Sequence, residues 1–164
     1  MKFKDIYGDL TGTVYEGDFD CSDNNLTSLE GAPREVKGDF YCHNNNLASL
    51  EGAPREVGRD FYCPNNNLTS LEGAPEVVEG DFYCSNNNLT SLEGAPEVVE
   101  GDFDCSDNNL TSLEGAPREV GDFSCNRNNL TSLEGLPFQK YNHTDFSDKA
   151  FNEYMKFRYP HYLI

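Results

Sequence analysis

A block of 20 or 21 residues recurs six times between Gly17 and Lys140, and this repetition constrains the fold of the 164-residue chain more than any other feature. The cysteines of successive blocks are 21, 21, 21, 21 and 20 residues apart, at Cys21, Cys42, Cys63, Cys84, Cys105 and Cys125. The apolar side chains of one block contribute about 8 kcal/mol when buried, whereas ordering its residues costs about 20 kcal/mol or more. One block is therefore unstable alone, and the sequence predicts a stack in which each repeat position forms a column.

Within each block, phenylalanine precedes the cysteine by two positions, and asparagine follows it by three. Because strand side chains alternate between faces, Phe and Cys should share the inner face and the residue between them the outer face. Leu26, Leu29 and their equivalents should then turn inward before a Gly-Ala-Pro segment that can continue neither strand nor helix. We expect extended or single-turn return segments. An inward asparagine would use its amide group on the turn backbone of its own and neighbouring coils.

One block carries a recognisable motif. Val120, Phe123, Cys125, Asn128 and Leu130 fit the pattern L-x-x-L-x-L-x-x-N-x-L with an apolar residue at every L. The chain thus resembles the leucine-rich repeat family, in particular its short bacterial and phage type, over 124 of 164 residues. The resemblance implies a right-handed leucine-rich-repeat solenoid with a parallel β-sheet on its concave face. The other blocks depart from the pattern by one extra residue between Val and Phe, which predicts a small bulge before the strand.

The two ends of the chain lack the repeat, which divides the sequence into three parts. Residues 1–16 are predicted to form an N-terminal cap, residues 17–140 six repeats, and residues 141–164 a helical C-terminal cap. The C-terminal helix would begin at Ser147 as N-cap and end at Pro160. This apolar, aromatic segment predicts capping of the open core, with a homodimer contact as the alternative, so that the protein would be a monomer or a homodimer.

The sequence contains neither a stretch long enough to span a membrane nor an apolar N-terminal run typical of a signal peptide. We therefore expect a soluble protein without a membrane partner, located in the cytoplasm, that of the bacterial host if a phage encodes it. The cysteines occupy inward strand positions, one per repeat, and are predicted to be buried reduced thiols rather than disulfides or metal ligands.

The charge of the chain is strongly one-sided, with a formal net charge of −17. No Lys or Arg occurs from Asp60 to Pro117, a span with twelve acidic residues. The acids form columns, one before each strand phenylalanine: Asp18, Asp39, Asp60, Asp81, Asp102 and Asp122. Neighbours in such a column repel by about 0.8 kcal/mol in water, a cost that hydrogen bonds from the following turn or a basic partner would reduce. High negative charge also keeps a rod soluble, which is the alternative explanation.

The outward position between Phe and Cys varies along the stack, as Asp20, Tyr41, Tyr62, Tyr83, Asp104 and Ser124. Three stacked tyrosines flanked by acids are typical of a binding surface, although an aromatic column can also stabilise a sheet by cross-strand packing. We predict a partner-binding site made of this column, the aspartates beside it and one bordering histidine: Tyr41, Tyr62, Tyr83, Asp20, Asp104, Asp39, Asp60, Asp81, Asp102 and His43.

These features predict a non-catalytic module that binds a basic protein. The resemblance to phage-type repeats adds the expectation that it inhibits a host-defence or nucleic-acid-binding protein. One alternative is a DNA or RNA mimic that occupies the nucleic-acid groove of an enzyme; direct nucleic-acid binding is opposed by the charge. A second is calcium binding by Asp18, Asp20 and Asp23 or their equivalents in the fifth repeat. No catalytic residue, metal site or cofactor is predicted, because His43, His143 and His161 have no nucleophile or metal triad beside them.

Overall fold

The fold was obtained as a computed structural model, which describes residues 1–139. The predicted C-terminal helix after Ser147 and the homodimer contact of residues 141–164 lie outside the described residues.

Secondary structure in the described part consists of one short helix and many two-residue strands. The helix, α1, spans Phe3–Tyr7. The strands are β1 (Val14–Tyr15), β2 (Phe19–Asp20), β3 (Glu35–Val36), β4 (Phe40–Tyr41), β5 (Glu56–Val57), β6 (Phe61–Tyr62), β7 (Val77–Val78), β8 (Phe82–Tyr83), β9 (Phe103–Asp104), β10 (Glu119–Val120), β11 (Phe123–Ser124) and β12 (Phe138–Gln139).

Each coil contributes a strand to one long parallel sheet. Its strand order is β2-β4-β6-β8-β9-β11, and each phenylalanine pairs with the phenylalanine of the next coil, as Phe40 does with Phe61. The return segments are extended and form a second line of parallel strands, β1-β3-β5-β7 and β10-β12. Isolated bridges between Val78 and Val99 and between Val98 and Glu119 connect these two groups. The chain is therefore a parallel β-solenoid.

The core is a set of columns enclosed between the two lines of strands. Phenylalanine rings from Phe19 to Phe123 stack with centroids between 5.2 and 6.0 Å apart. The cysteines beside them are buried, as predicted, and burial raises the pKa of the Cys63 thiol well above its usual value. A thiol buried in this way is neutral and packs as a small apolar group.

The asparagine column holds adjacent coils together. Asn87 donates through Nδ2 to the carbonyls of Cys63 and Cys84, both at 3.1 Å, and its Oδ1 accepts from the backbone N–H of Leu68 at 3.1 Å. Asn45, Asn66 and Asn108 repeat this arrangement and are also buried. The predicted use of the amide on its own and the neighbouring coil is confirmed.

The N-terminal residues pack on the open end of the first repeat. Phe3 is fully buried, with its ring centroid 5.2 Å from that of Phe19, and Tyr7 lies edge-on to the same ring at 5.3 Å. Backbone N–H groups of Phe3 and Lys4 donate to the carbonyls of Ser28 and Glu30. These contacts shield the first phenylalanine of the core from water.

Candidate protein-binding face

The outer face of the long sheet presents the variable column that the sequence singled out. Parallel pairing places Asp20 opposite Tyr41, Tyr41 opposite Tyr62, Tyr62 opposite Tyr83, and Tyr83 opposite Asp104. We call the three tyrosines together with Asp39, Asp60 and Asp81, which lie two residues before them, the tyrosine face. The structure thus brings six of the predicted site residues together, three on adjacent strands and three immediately before those strands.

The three tyrosine rings form a continuous stack. Ring centroids of Tyr41 and Tyr62 are 4.8 Å apart with an angle of 15° between their planes, and those of Tyr62 and Tyr83 are 4.8 Å apart at 10°. All three side chains are half-buried. The rings pack against one another across the strands, as expected if the aromatic column stabilises the sheet, and they remain partly exposed to solvent.

Each tyrosine hydroxyl is held by the aspartate of its own strand. The hydroxyls of Tyr41, Tyr62 and Tyr83 donate to the Oδ2 atoms of Asp39, Asp60 and Asp81 at 2.8, 2.9 and 2.7 Å. The bond to the Asp39 carboxylate, with partial burial, raises the pKa of Tyr41 to about 12. Burial and the same kind of bond raise the pKa of Tyr62 and of Tyr83. The phenols are therefore neutral donors, fixed in direction.

The aspartate column is also part of the backbone hydrogen-bond network. Oδ1 of Asp60 accepts from the backbone N–H of Asp81 at 2.8 Å, and the same bond recurs from Asp18 to Asp102 at 2.8 to 3.1 Å. These bonds offset the repulsion expected for like charges one coil apart. Within residues 1–139, Oδ1 of Asp122 is the member of this column that is buried without a partner.

The two aspartates that flank the tyrosine stack have a different local structure. Oδ1 of Asp20 accepts from the backbone N–H of Ser22 at 2.9 Å and from its hydroxyl at 2.6 Å, and Oδ1 of Asp104 accepts from the N–H of Ser106 at 2.9 Å. The bonds from Ser22 lower the pKa of Asp20. Each carboxylate is thus fixed through one oxygen, while its Oδ2 atom has no hydrogen bond within the described part of the chain.

His43 borders the stack, as the sequence predicted, next to Tyr41. Its ring lies edge-on to the tyrosine ring with centroids 6.1 Å apart. Its Nδ1 atom is buried without a hydrogen-bond partner among residues 1–139. His43 therefore borders the tyrosine face through its ring contact with Tyr41, and its Nδ1 atom adds no hydrogen bond to that face.

Ion pairs do not neutralise the middle of the rod. Arg34 contacts Glu35 and Glu56, Arg55 contacts Glu76, and Arg118 contacts Glu97. The exposed glutamates Glu72, Glu93 and Glu114 have no ion pair within residues 1–139. A line of uncompensated negative charge therefore runs along the turns that follow the second leucine of each repeat.

Sequence reasoning located the column of tyrosines and aspartates but missed the bonds inside it. The signal was available in the Asp-x-Tyr spacing, because residues i and i+2 of a strand share a face. Among residues 1–139, no group of three or more His, Cys, Asp or Glu side chains could hold a metal ion. No helix in the same residues is long and apolar enough to cross a membrane.

Fold and face together define a parallel β-solenoid with an aromatic, acidic outer sheet face. No family model, curated protein or solved structure matches the chain.

Proposed function

We propose that this chain is a non-catalytic, acidic leucine-rich-repeat module that binds a basic protein through the tyrosine face and inhibits it. Support for the repeat type comes from the L-x-x-L-x-L-x-x-N-x-L motif together with the parallel solenoid. As part of the same proposal we place the protein in the cytoplasm, that of the bacterial host if a phage encodes it, because its repeats resemble the short bacterial and phage type. The partner would be a host-defence or nucleic-acid-binding protein.

The observation that carries this proposal is the combination of a rigid aromatic stack with unneutralised charge. Tyr41, Tyr62 and Tyr83 present stacked rings whose hydroxyls are already fixed, so little side-chain entropy is lost when a partner covers them. The surrounding acids attract a basic surface over a distance and repel acidic competitors. Tyrosine is among the residues enriched in protein-binding hot spots, and the rim of a protein interface is polar.

The test is capture from a bacterial lysate by three forms of the purified protein. The first is wild type, and the second replaces Tyr41, Tyr62 and Tyr83 by serine, which the sixth repeat already carries at this position as Ser124. The third replaces Glu72, Glu93 and Glu114 by glutamine, which removes three charges away from the tyrosine face. Circular dichroism melting shows that each variant is folded.

We expect one basic protein to elute with salt from wild type and from the glutamine variant. The serine variant should not capture this protein. The purified partner should then lose its activity when the wild-type chain is added. Two results contradict a binding role for the tyrosine face. In the first, the captured protein is lost with the glutamine variant alone; in the second, many basic proteins are captured and the serine variant does not change them.

One observation favours nucleic-acid mimicry as the second candidate. Residues 72–92 span one coil and carry Glu72, Glu76, Glu79 and Asp81, of which Glu76 is paired with Arg55. With 4.8 Å between the stacked tyrosines of adjacent coils, the unpaired charges amount to about one per 1.6 Å, compared with one per about 1.7 Å of duplex DNA. Competition between duplex DNA and the chain for the captured partner distinguishes mimicry from binding elsewhere.

A further inference from the structure

The tyrosine stack ends at both sides on an aspartate. Beyond Tyr83 the next strand carries Asp104 at the equivalent position, and beyond Tyr41 it carries Asp20. Within residues 1–139, the aromatic contact of Tyr83 is with Tyr62 on one side of its ring. An aspartate is too short to cover a phenol ring, so the outer ring face of Tyr83 has no aromatic neighbour among residues 1–139.

The carboxylates beside these outer rings have unused acceptor atoms. In the middle strands, Oδ2 of the column aspartate accepts a tyrosine hydroxyl, as Asp81 does from Tyr83. Asp102 has no tyrosine on its own strand, so its Oδ2 has no hydrogen bond among the described residues, while its Oδ1 accepts from Asp122 at 2.9 Å. Asp102, immediately before β9, and Asp104, on β9, therefore each keep an Oδ2 atom without a hydrogen bond among the described residues, on the coil that pairs with the strand of Tyr83.

The opposite end of the stack repeats this arrangement. Asp18 and Asp20 lie on β2 or immediately before it, next to Tyr41, and Oδ1 of Asp18 accepts from the N–H of Asp39 at 3.0 Å. We call the two places the end sites: Tyr83 with Asp102 and Asp104, and Tyr41 with Asp18 and Asp20. They differ in that the ring of His43 lies beside Tyr41.

We propose that each end site binds an arginine side chain of the basic partner. This inference rests on the proposed function and names the group that is recognised. A guanidinium group is planar, stacks on a tyrosine ring and presents a fork of N–H donors to two carboxylate oxygens. A lysine ammonium is a point charge that satisfies the carboxylates without covering the ring. The end sites therefore prefer arginine to lysine, whereas the rest of the acidic surface attracts both.

The geometry also fixes the distance between the two arginines. The centroid spacings of 4.8 Å place the outer rings about 9.6 Å apart. A guanidinium stacked at about 3.5–4.0 Å on each outer face brings the two groups to roughly 17 Å from one another. An extended chain advances about 3.3 Å per residue, so arginines about five residues apart reach both sites at once.

The experiment titrates the folded, full-length protein with a synthetic peptide, acetyl-Arg-Gly-Ser-Gly-Ser-Arg-amide, followed by NMR of the tyrosine ring signals. The matched probes are the same peptide with lysine at both ends and one with a single arginine. A variant with Asp20→Tyr and Asp104→Tyr extends the stack by residues that the middle repeats already carry, so it preserves the fold. Its control, Glu93→Gln with Glu114→Gln, removes the same number of charges from another column.

We expect the wild-type protein to bind the two-arginine peptide at least about fivefold more tightly than the two-lysine peptide. This preference should persist in the glutamine control and disappear in the tyrosine variant. Equal affinity for both peptides in wild type overturns the inference, and so does a preference that survives in the tyrosine variant. Neither result bears on whether the tyrosine face binds a partner, because the serine variant in the capture experiment tests that separately. The two proposals can therefore be refuted independently.

Discussion

Removal of one buried asparagine, Asn87→Ala, tests whether the asparagine column holds the coils together. The side chain makes hydrogen bonds to two coils, and Leu68 N–H has Oδ1 of Asn87 as its acceptor. The carbonyls of Cys63 and Cys84 each keep a second asparagine donor, from Asn66 and Asn108. The substitution therefore leaves one buried N–H without a partner and removes the two N–H donors of Nδ2. These are shared among the carbonyls of Cys63, Cys84 and Ser85, each of which keeps another donor.

The magnitude follows from this difference between orphaned and weakened groups. A buried N–H without a partner costs about 1–3 kcal/mol, and the two lost bonds to carbonyls add about 1 kcal/mol each. We expect Asn87→Ala to lower the free energy of unfolding by about 3–5 kcal/mol. Asn87→Asp keeps the shape and the Oδ1 acceptor but turns the donor into an acceptor that faces carbonyls, so it should destabilise at least as much.

The assay is equilibrium unfolding in urea, with hydrogen exchange at Leu68 N–H as a local measurement. The control is Asn88→Ala, because the side chain of Asn88 is exposed. Asn88 contacts the neighbouring coil through its backbone N–H, which donates to Leu68 O at 2.9 Å, and the substitution keeps this bond. Exchange at Leu68 should accelerate in the Asn87 variants and stay slow in the control. If Asn87→Ala costs no more than Asn88→Ala, the column is not what joins the coils.

Three further predictions concern the tyrosine face and the turns. Tyr62→Phe keeps the ring stack but removes the hydroxyl bond to Asp60, so the midpoint of urea unfolding should fall by an amount equivalent to about 1 kcal/mol. The pKa of Tyr41 is raised to about 12, against about 10 in an unfolded chain. Its contribution to stability is therefore complete below pH 10 and is lost as the pH rises toward 12. Urea unfolding from pH 8 to 11.5 should show this loss in wild type and a smaller loss in Tyr41→Phe. Gly73→Ala should lower the melting temperature more than Gly12→Ala: both have positive φ, but a Cβ at Gly73 would lie 2.5 Å from the backbone N of Glu51, whereas at Gly12 nothing lies within 4 Å.

The sequence predicts the columns well because their periodicity is explicit. Phe61, Cys63 and Asn66 are buried where alternation and spacing place them. What alternation does not specify is which partner an outward polar group selects. Asp60 could accept from its own strand, from the next coil or from water, and the structure shows that it accepts from Tyr62 and from Asp81 N–H. That choice depends on rotamers and on the distance between coils, neither of which a repeat pattern contains.

The return side shows the same limit for backbone structure. Extended or single-turn segments were expected, and the structure has extended ones, which pair as a second parallel line through Val36, Val57 and Val78. The valines occur at a fixed position in the first five repeats, but a single buried valine per coil shows no alternation that would predict a strand. The pairing becomes evident only when the coils are stacked in register.

The hydrogen bonds of the aspartate column change what its charge can do. Asp39, Asp60 and Asp81 each use one oxygen for the next coil and the other for a phenol, so a partner that displaced these bonds would weaken both the sheet and the tyrosine stack. Their charges act on a partner through the surrounding field, while direct contact falls to carboxylates that keep a free oxygen. Next to the tyrosine stack, those are the aspartates of the first and fifth repeats, where the tyrosine is replaced by Asp20 or Asp104. The departure from the repeat, rather than the repeat itself, therefore marks the residues available for recognition.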